Sequence, residues 1–213
     1  MTTPADKPRR RRSNGEASRK RILEAAAEIA AERGYEGTSI GLVSKHSGLP
    51  ASSIYWHFKD KDDLIAAVIE HSFGVWLDGA GEWAPRNPGE PVQQRVAALI
   101  ESKAKTLLES SEFLRLGLML ALERRAEEPS ARRMFLSVRQ EALRRTIAAC
   151  GEHFPELTEA EARQLGLLVV AMIDGLFIAN EIDGAGADLL GDSDLLAAAV
   201  VGAADRILAR HRP

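Results

Sequence analysis

Of the residues between Thr38 and Lys61 whose side chains can hydrogen-bond or attract an oxyanion, nine are candidates for contact with a nucleic acid: Thr38, Ser39, Lys45, Ser52, Ser53, Tyr55, Trp56, His57 and Lys61. Ser52 and Ser53 can donate to a phosphate or to a base edge. Tyr55 and His57 pair a polar tip with a ring that packs on protein, which suits a phosphate ligand. Trp56 can cover a thymine methyl or a sugar. Lys61 and Lys45 supply charge, and Thr38 and Ser39 supply hydroxyls at a helix N-terminus. Between Ala51 and Phe58 there is no Lys or Arg, so bidentate guanine readout is absent from that stretch. Other readings stand beside these. Tyr55 could complete a small core, Trp56 could pack on the preceding helix, and His57 could be a satisfied surface histidine.

The elements that position these groups are short. Thr38 is placed to N-cap a second helix, with Leu42 and Val43 facing inward. Gly48 supplies the permissive backbone of a sharp turn. Pro50 opens a third helix, anchored by Ile54 and Phe58 four residues apart. Asp60 caps a fourth, running from Lys61 to about Leu77, and Asp62 and Asp63 suit its positive end. Two short helices around a tight turn are the geometry of a helix-turn-helix, whose second helix enters the DNA major groove. The first helix is expected from Glu16 to Ser18 onward. Its inner face holds Ile22, Leu23, Ala26, Ile29 and Ala30, and Gly34 stands at its C-cap.

Charge distribution agrees with a polyanionic partner. The whole chain of 213 residues has a net charge of −3, but residues 1–65 hold 12 Lys/Arg against 9 Asp/Glu. Arg9 to Arg12 with Arg19, Lys20 and Arg21 concentrate the positive charge. Residues 1–15 have little to bury and are expected to form a disordered basic arm, able to follow DNA or to remain a solvated tail. The basic N-terminus lacks the apolar stretch of a signal peptide, and no uncharged apolar run reaches membrane-spanning length. Cys150 is the single cysteine, read as a buried structural residue in a reducing, cytoplasmic setting rather than a redox sensor.

The rest of the chain reads as helix at about 92–109, 111–127, 130–150, 159–182 and 193–210, after a Pro-rich loop from Ala84 to Pro91. No strand-type alternation occurs, so the fold is expected to be all-α with about nine helices. The domains are expected at 16–62 and 63–213. The last two helices are apolar nearly all round, which fits a subunit interface or the central helix pair of a monomer. No P-loop, HExxH pair or nucleophile elbow is present, so no enzyme, cofactor or metal is expected. The Gly184 to Gly191 stretch is a poor dinucleotide loop because it follows a helix, and Glu152, His153 and Glu156 read as a hydrated helix end.

Residues 17–70 resemble the TetR family of bacterial transcriptional regulators. The carriers are Ile22-Leu23-Glu24-Ala25-Ala26, Gly34-Tyr35, Thr38-Ser39-Ile40, Gly48-Leu49, Ile54-Tyr55-Trp56-His57-Phe58 and Lys59-Asp60-Lys61-Asp62-Asp63-Leu64. Ala51 and Ser52 depart from the Lys/Arg and Gly that many members carry, and Ser44 replaces a small apolar residue. The resemblance implies a homodimer held through the helices near 159–182 and 193–210, bound to double-stranded operator DNA and released by a small hydrophobic effector. An activator, or a helical protein-interaction module, is the alternative. The resemblance also implies a pocket between about 65 and 180. Its expected lining is Trp76, Phe113, Leu116, Met119, Leu120, Glu123, Met134, Phe135, Arg139, Met172 and Phe177, with Glu123 and Arg139 as its polar groups, although each could be plain core.

Overall fold

The structure, a computed structural model, describes residues 6–79, 89–109, 112–123, 128–183 and 193–211. Among them lie nine helices and no strand: α1 (Asp6–Gly37), α2 (Ile40–Ser47), α3 (Ala51–His57), α4 (Lys61–Gly79), α5 (Val92–Glu109), α6 (Glu112–Leu122), α7 (Ser130–His153), α8 (Glu159–Asp183) and α9 (Ser193–Leu208). A 3-10 turn (Ala209–His211) follows. The all-α expectation and the helix count therefore hold.

The backbone of residues 6–15, within the stretch expected as a disordered arm, is helical and continuous with α1. Pro8 falls in the first turn, where a missing N–H costs nothing. The Ser18 hydroxyl lies 2.9 Å from the Asn14 carbonyl, one turn back. The Arg9 to Arg12 side chains lie outside the described residues. At Gly34 (φ 67°) the chain takes a left-handed conformation that breaks the helical run.

The sequence places a domain boundary after residue 62. The chain forms two units, one of Met1–Val75 with Ser110–Val138, the other of Trp76–Glu109 with Arg139–Pro213. Leu64, Ile65, Val68 and Ile69 of α4 are buried in the first unit's core. In that unit α1 packs on α2, α3 and α6. α6 meets α7 so closely at Gly117 that a Cβ there would stand 1.8 Å from the Phe135 ring.

In the second unit α9 lies along α5 and touches α8. Val96, Phe154, Leu165, Ala197, Val200 and Ala204 form its core. A reciprocal cap starts α8: the Thr158 amide donates to Glu161 (2.8 Å) and the Glu161 amide to the Thr158 hydroxyl (3.4 Å). α8 is long and apolar enough to cross a membrane by length and composition, a property it shares with core helices of soluble proteins, but charged residues keep its uncharged runs short, as the sequence predicts. One of them, Asp174, pairs with Arg139 of α7.

Candidate nucleic-acid interface and ligand cavity

The helix-turn-helix is tied down from several sides. Ser39, not Thr38, is the N-cap of α2, accepting from the Leu42 amide at 3.2 Å. Thr38 is 1% exposed and its hydroxyl donates to the Gly34 carbonyl at 2.8 Å, which removes that hydroxyl from any DNA-facing surface. Gly48 sits in the left-handed region at φ 66°, ψ 19°, as the turn requires. Arg21 donates to the Ser47 carbonyl (2.6 Å) and the Ser44 hydroxyl to the Leu49 carbonyl (2.7 Å). Ser44, one of the departures from the family pattern, thus fastens the turn itself. Ile54 and Phe58 are buried, with the Arg19 guanidinium 5.4 Å from the Phe58 ring centroid.

With that inner side committed, the outer side of α3 is open. Trp56 is 75% exposed and Tyr55 58%, beside exposed Ser52 and half-buried Ser53. Tyr55 is therefore no core residue. The Trp56 ring reaches to 3.7 Å from where a Gly15 Cβ would stand, yet most of it faces solvent. Ser39 and Lys45 are exposed on α2.

His57 turns the other way. Its Nε2 lies 3.1 Å from the Ser18 oxygen, and its ring meets Trp56 edge-on at 4.5 Å. The Ser18 oxygen also lies within hydrogen-bond distance of the Asn14 and Gly15 carbonyls, which ties His57 to α1. Burial, with the Arg19 charge, holds His57 below its ordinary pKa. Lys61 is likewise engaged within the protein. Its amine donates to the Tyr35 carbonyl and to Glu36, both at 3.3 Å, and stands 4.2 Å over the Tyr35 ring.

Asp62 bridges elements of the first unit. It accepts from the Ser130 amide (2.6 Å), the Ser130 hydroxyl, the Ala131 amide (3.2 Å) and Tyr35 (3.3 Å). It thereby caps α7. Burial pushes its carboxyl up, but these hydrogen bonds outweigh that effect and hold it below its ordinary pKa.

The second unit contains an apolar cavity of about 110 Å³. Trp76 lines it, as expected, with Val96, Leu99, Ile100, Lys103 and Leu107 of α5, Thr146, Cys150 and His153 of α7, Val169, Ile173 and Leu176 of α8, and Leu196 and Val200 of α9. The other expected lining residues are placed elsewhere. Leu116, Leu120 and Phe135 are core of the first unit, and Met134 is half-buried there. Met119 packs 3.2 Å from the Cβ position of Gly34, and Glu123 is exposed after α6. Met172 and Phe177 lie in α8 but outside the lining, Phe177 fully buried. Arg139 is spent on a two-pronged ion pair with Asp174, one arm at 2.9 Å. The Phe113 side chain and the Gly184 to Gly191 stretch lie outside the described residues. The missed residues had a visible signal. Val96, Leu99, Ile100, Lys103 and Leu107 form a helical stripe interrupted by one cation, and Thr146, Cys150 and His153 form another. Among the described residues, no three His, Cys, Asp or Glu side chains converge on a metal-sized site.

Residues 22–68 match the family model described as bacterial regulatory proteins, tetR family. The HTH-type transcriptional regulator AcrR of Shigella flexneri is 30% identical over 106 residues, 50% of this chain and 49% of that protein. The chain thus spans about half the length of this relative. The regulator LmrA of Bacillus subtilis is 28% identical over 165 residues, covering 74% of this chain and 83% of its own. The crystal structure of the transcriptional regulator FadR from Bacillus subtilis, solved with stearoyl-CoA, superposes with a TM-score of 0.64 at 20% identity, covering 86% of this chain and 98% of that one. Residues 22–68, the helix-turn-helix just described, thus carry the domain of the tetR family of bacterial regulatory proteins, and the chain shares its fold with the superposed regulator.

Proposed function

We propose that the protein is a cytoplasmic transcriptional regulator, a repressor that binds operator DNA as a homodimer through α3 and leaves it when a small hydrophobic effector occupies the second unit's cavity. The observation that carries this reading is the outer side of α3. Two large rings, Tyr55 and Trp56, stand in solvent on a seven-residue helix whose other side is locked to α1 and α2. Exposing such rings is costly unless a partner covers them, and a narrow helix presenting Ser52, Ser53, Tyr55 and Trp56 fits a major groove. Ser39 and Lys45 extend the contact toward the phosphates.

A second observation supports the pairing of copies. Leu168, Ala171, Gly175, Ile178 and Ile182 are all exposed and recur at three- and four-residue intervals along α8. That is the spacing of a helix-packing seam. Leu195, Ala198, Ala199 and Gly202 extend exposed small and apolar surface on α9. This surface supports the interface reading of the last two helices over the monomer core reading. The relatives support the regulatory role, and the stearoyl-CoA bound by FadR supports an apolar effector. Release follows if ligand favours a spacing of the paired α3 helices other than the 34–36 Å of successive major grooves, with a coupling of about 1–3 kcal/mol. The ligand must prefer one arrangement, because equal affinity shifts nothing. α4 and α7 run through both units and are the levers this reading assigns.

The test is a gel shift on the DNA upstream of the protein's own gene. The account predicts a retarded complex that Trp56→Ala weakens at least tenfold while leaving the thermal midpoint unchanged. Undiminished binding by Trp56→Ala contradicts it.

A further inference from the structure

We propose that α1 forms a seat that sets the direction of the Trp56 ring, with Gly15, Ser18 and His57 as positioning residues for base readout rather than DNA ligands. This rests on the reading of α3 as the DNA-contacting helix and adds what holds its largest reading group. Gly15 and Ser18 stand three residues apart on α1 and so share a face. The outer edge of the Trp56 six-membered ring, Cζ3 and Cη2, lies 3.7 Å from where a Gly15 Cβ would stand. His57 meets the Trp56 ring edge-on, with centroids 4.5 Å apart. Its Nε2 lies 3.1 Å from the Ser18 hydroxyl oxygen, which fixes the imidazole to α1. One residue on, the Arg19 guanidinium stands 5.4 Å from the ring centroid of buried Phe58. Consecutive residues of α1 therefore grip consecutive residues at the end of α3.

An indole on the outer side of a helix ordinarily exchanges rotamers, and ordering it on binding costs entropy. Trp56 is mostly exposed, so its contacts with Gly15 and His57 restrain it before any DNA arrives. A ring fixed in advance discriminates between base steps, because a wrong step meets a group that cannot swing aside. The seat lies before residue 22, where the family match begins, so readout by α3 depends on a stretch of α1 outside that match. The competing arrangement is His57 as a phosphate ligand that exchanges Ser18 for an oxyanion. Its loss would then weaken binding to every duplex alike and lower the salt slope by about one.

The experiment measures binding of the full-length protein to two duplexes of equal length, an operator selected from a random pool and an unrelated sequence. The ratio of the two affinities is the discrimination. Ser18→Ala should cut that ratio at least fivefold through the operator alone, with affinity for the unrelated duplex within twofold, which also shows that the variant is folded. Ser18→Thr, which keeps the hydroxyl, should restore the ratio. Gly15→Leu puts a side chain where the ring rests and should lower the ratio as Ser18→Ala does. In DNA-free protein labelled with fluorotryptophan, the fluorine resonance that Trp56→Phe removes should move toward that of free fluorotryptophan in Ser18→Ala. An equal loss on both duplexes, a ratio unchanged in both Ser18→Ala and Gly15→Leu, or a fluorine line that stays in place overturns the seat and leaves the DNA reading standing. An unaltered protein that selects no sequence from the pool overturns that reading as well.

Discussion

At the residue scale, the groups that hold the helix-turn-helix together and those left open for a partner are separable. Thr38, His57 and Lys61 look alike in sequence to Ser39, Tyr55 and Lys45, yet the first three spend their polar atoms inside the protein. Asp62 shows the same economy. It reads as one of several acids at the start of α4 but caps α7 instead. Asp62→Asn replaces an acceptor oxygen with a donor facing donors, and should lower stability by about 0.5–2 kcal/mol at pH 7. The pH dependence follows from the direction of its shift. A carboxyl held below its ordinary value of 3.8 contributes stability above that pH and loses it as pH falls through the folded-state value. Urea midpoints at pH 7 and pH 3 check this. The gap between wild type and Asp62→Asn should be large at pH 7 and shrink at pH 3, and a gap independent of pH would count against the cap.

At the element scale, close approaches decide which substitutions the helices accept. Gly117→Ala on α6 has no room against Phe135 and should cost about 1–3 kcal/mol or more. Gly74→Ala on α4 meets nothing within 4 Å and should stabilise by about 0.5–1 kcal/mol through helix propensity. Thermal denaturation of the two variants gives shifts of opposite sign if these packings are right. The same scale explains what could be read from the sequence. The helix-turn-helix was legible because its signals are local: a left-handed Gly48, an N-cap within one residue of Thr38, and Ile54 and Phe58 one turn apart. The cavity was largely illegible because its walls come from α5, α7, α8 and α9, and no local pattern says which stripe of each helix faces the others. Leu116 and Phe135 satisfy every sequence criterion for lining, and packing makes them core. Among the described residues, Trp76 is the expected lining residue that the cavity contains.

At the scale of the whole molecule, function depends on presenting α3 twice. The exposed α8 stripe is the surface proposed to do this, and Leu168→Glu with Ile178→Glu places charge in its centre without touching the buried residues of the unit. The double variant should sediment as a monomer, keep its helix content, and lose most operator affinity because a single recognition helix remains. A dimer that persists in this variant would move the interface elsewhere. The most direct measurement of the central claim is selection of bound sequences from a random duplex pool by the purified protein, followed by footprinting. The account predicts enrichment of an inverted repeat whose half-sites are centred about 10 base pairs apart, or a multiple of that, with protection lost in Trp56→Ala. A pool that stays unenriched, or an enriched site with no two-fold symmetry, contradicts it.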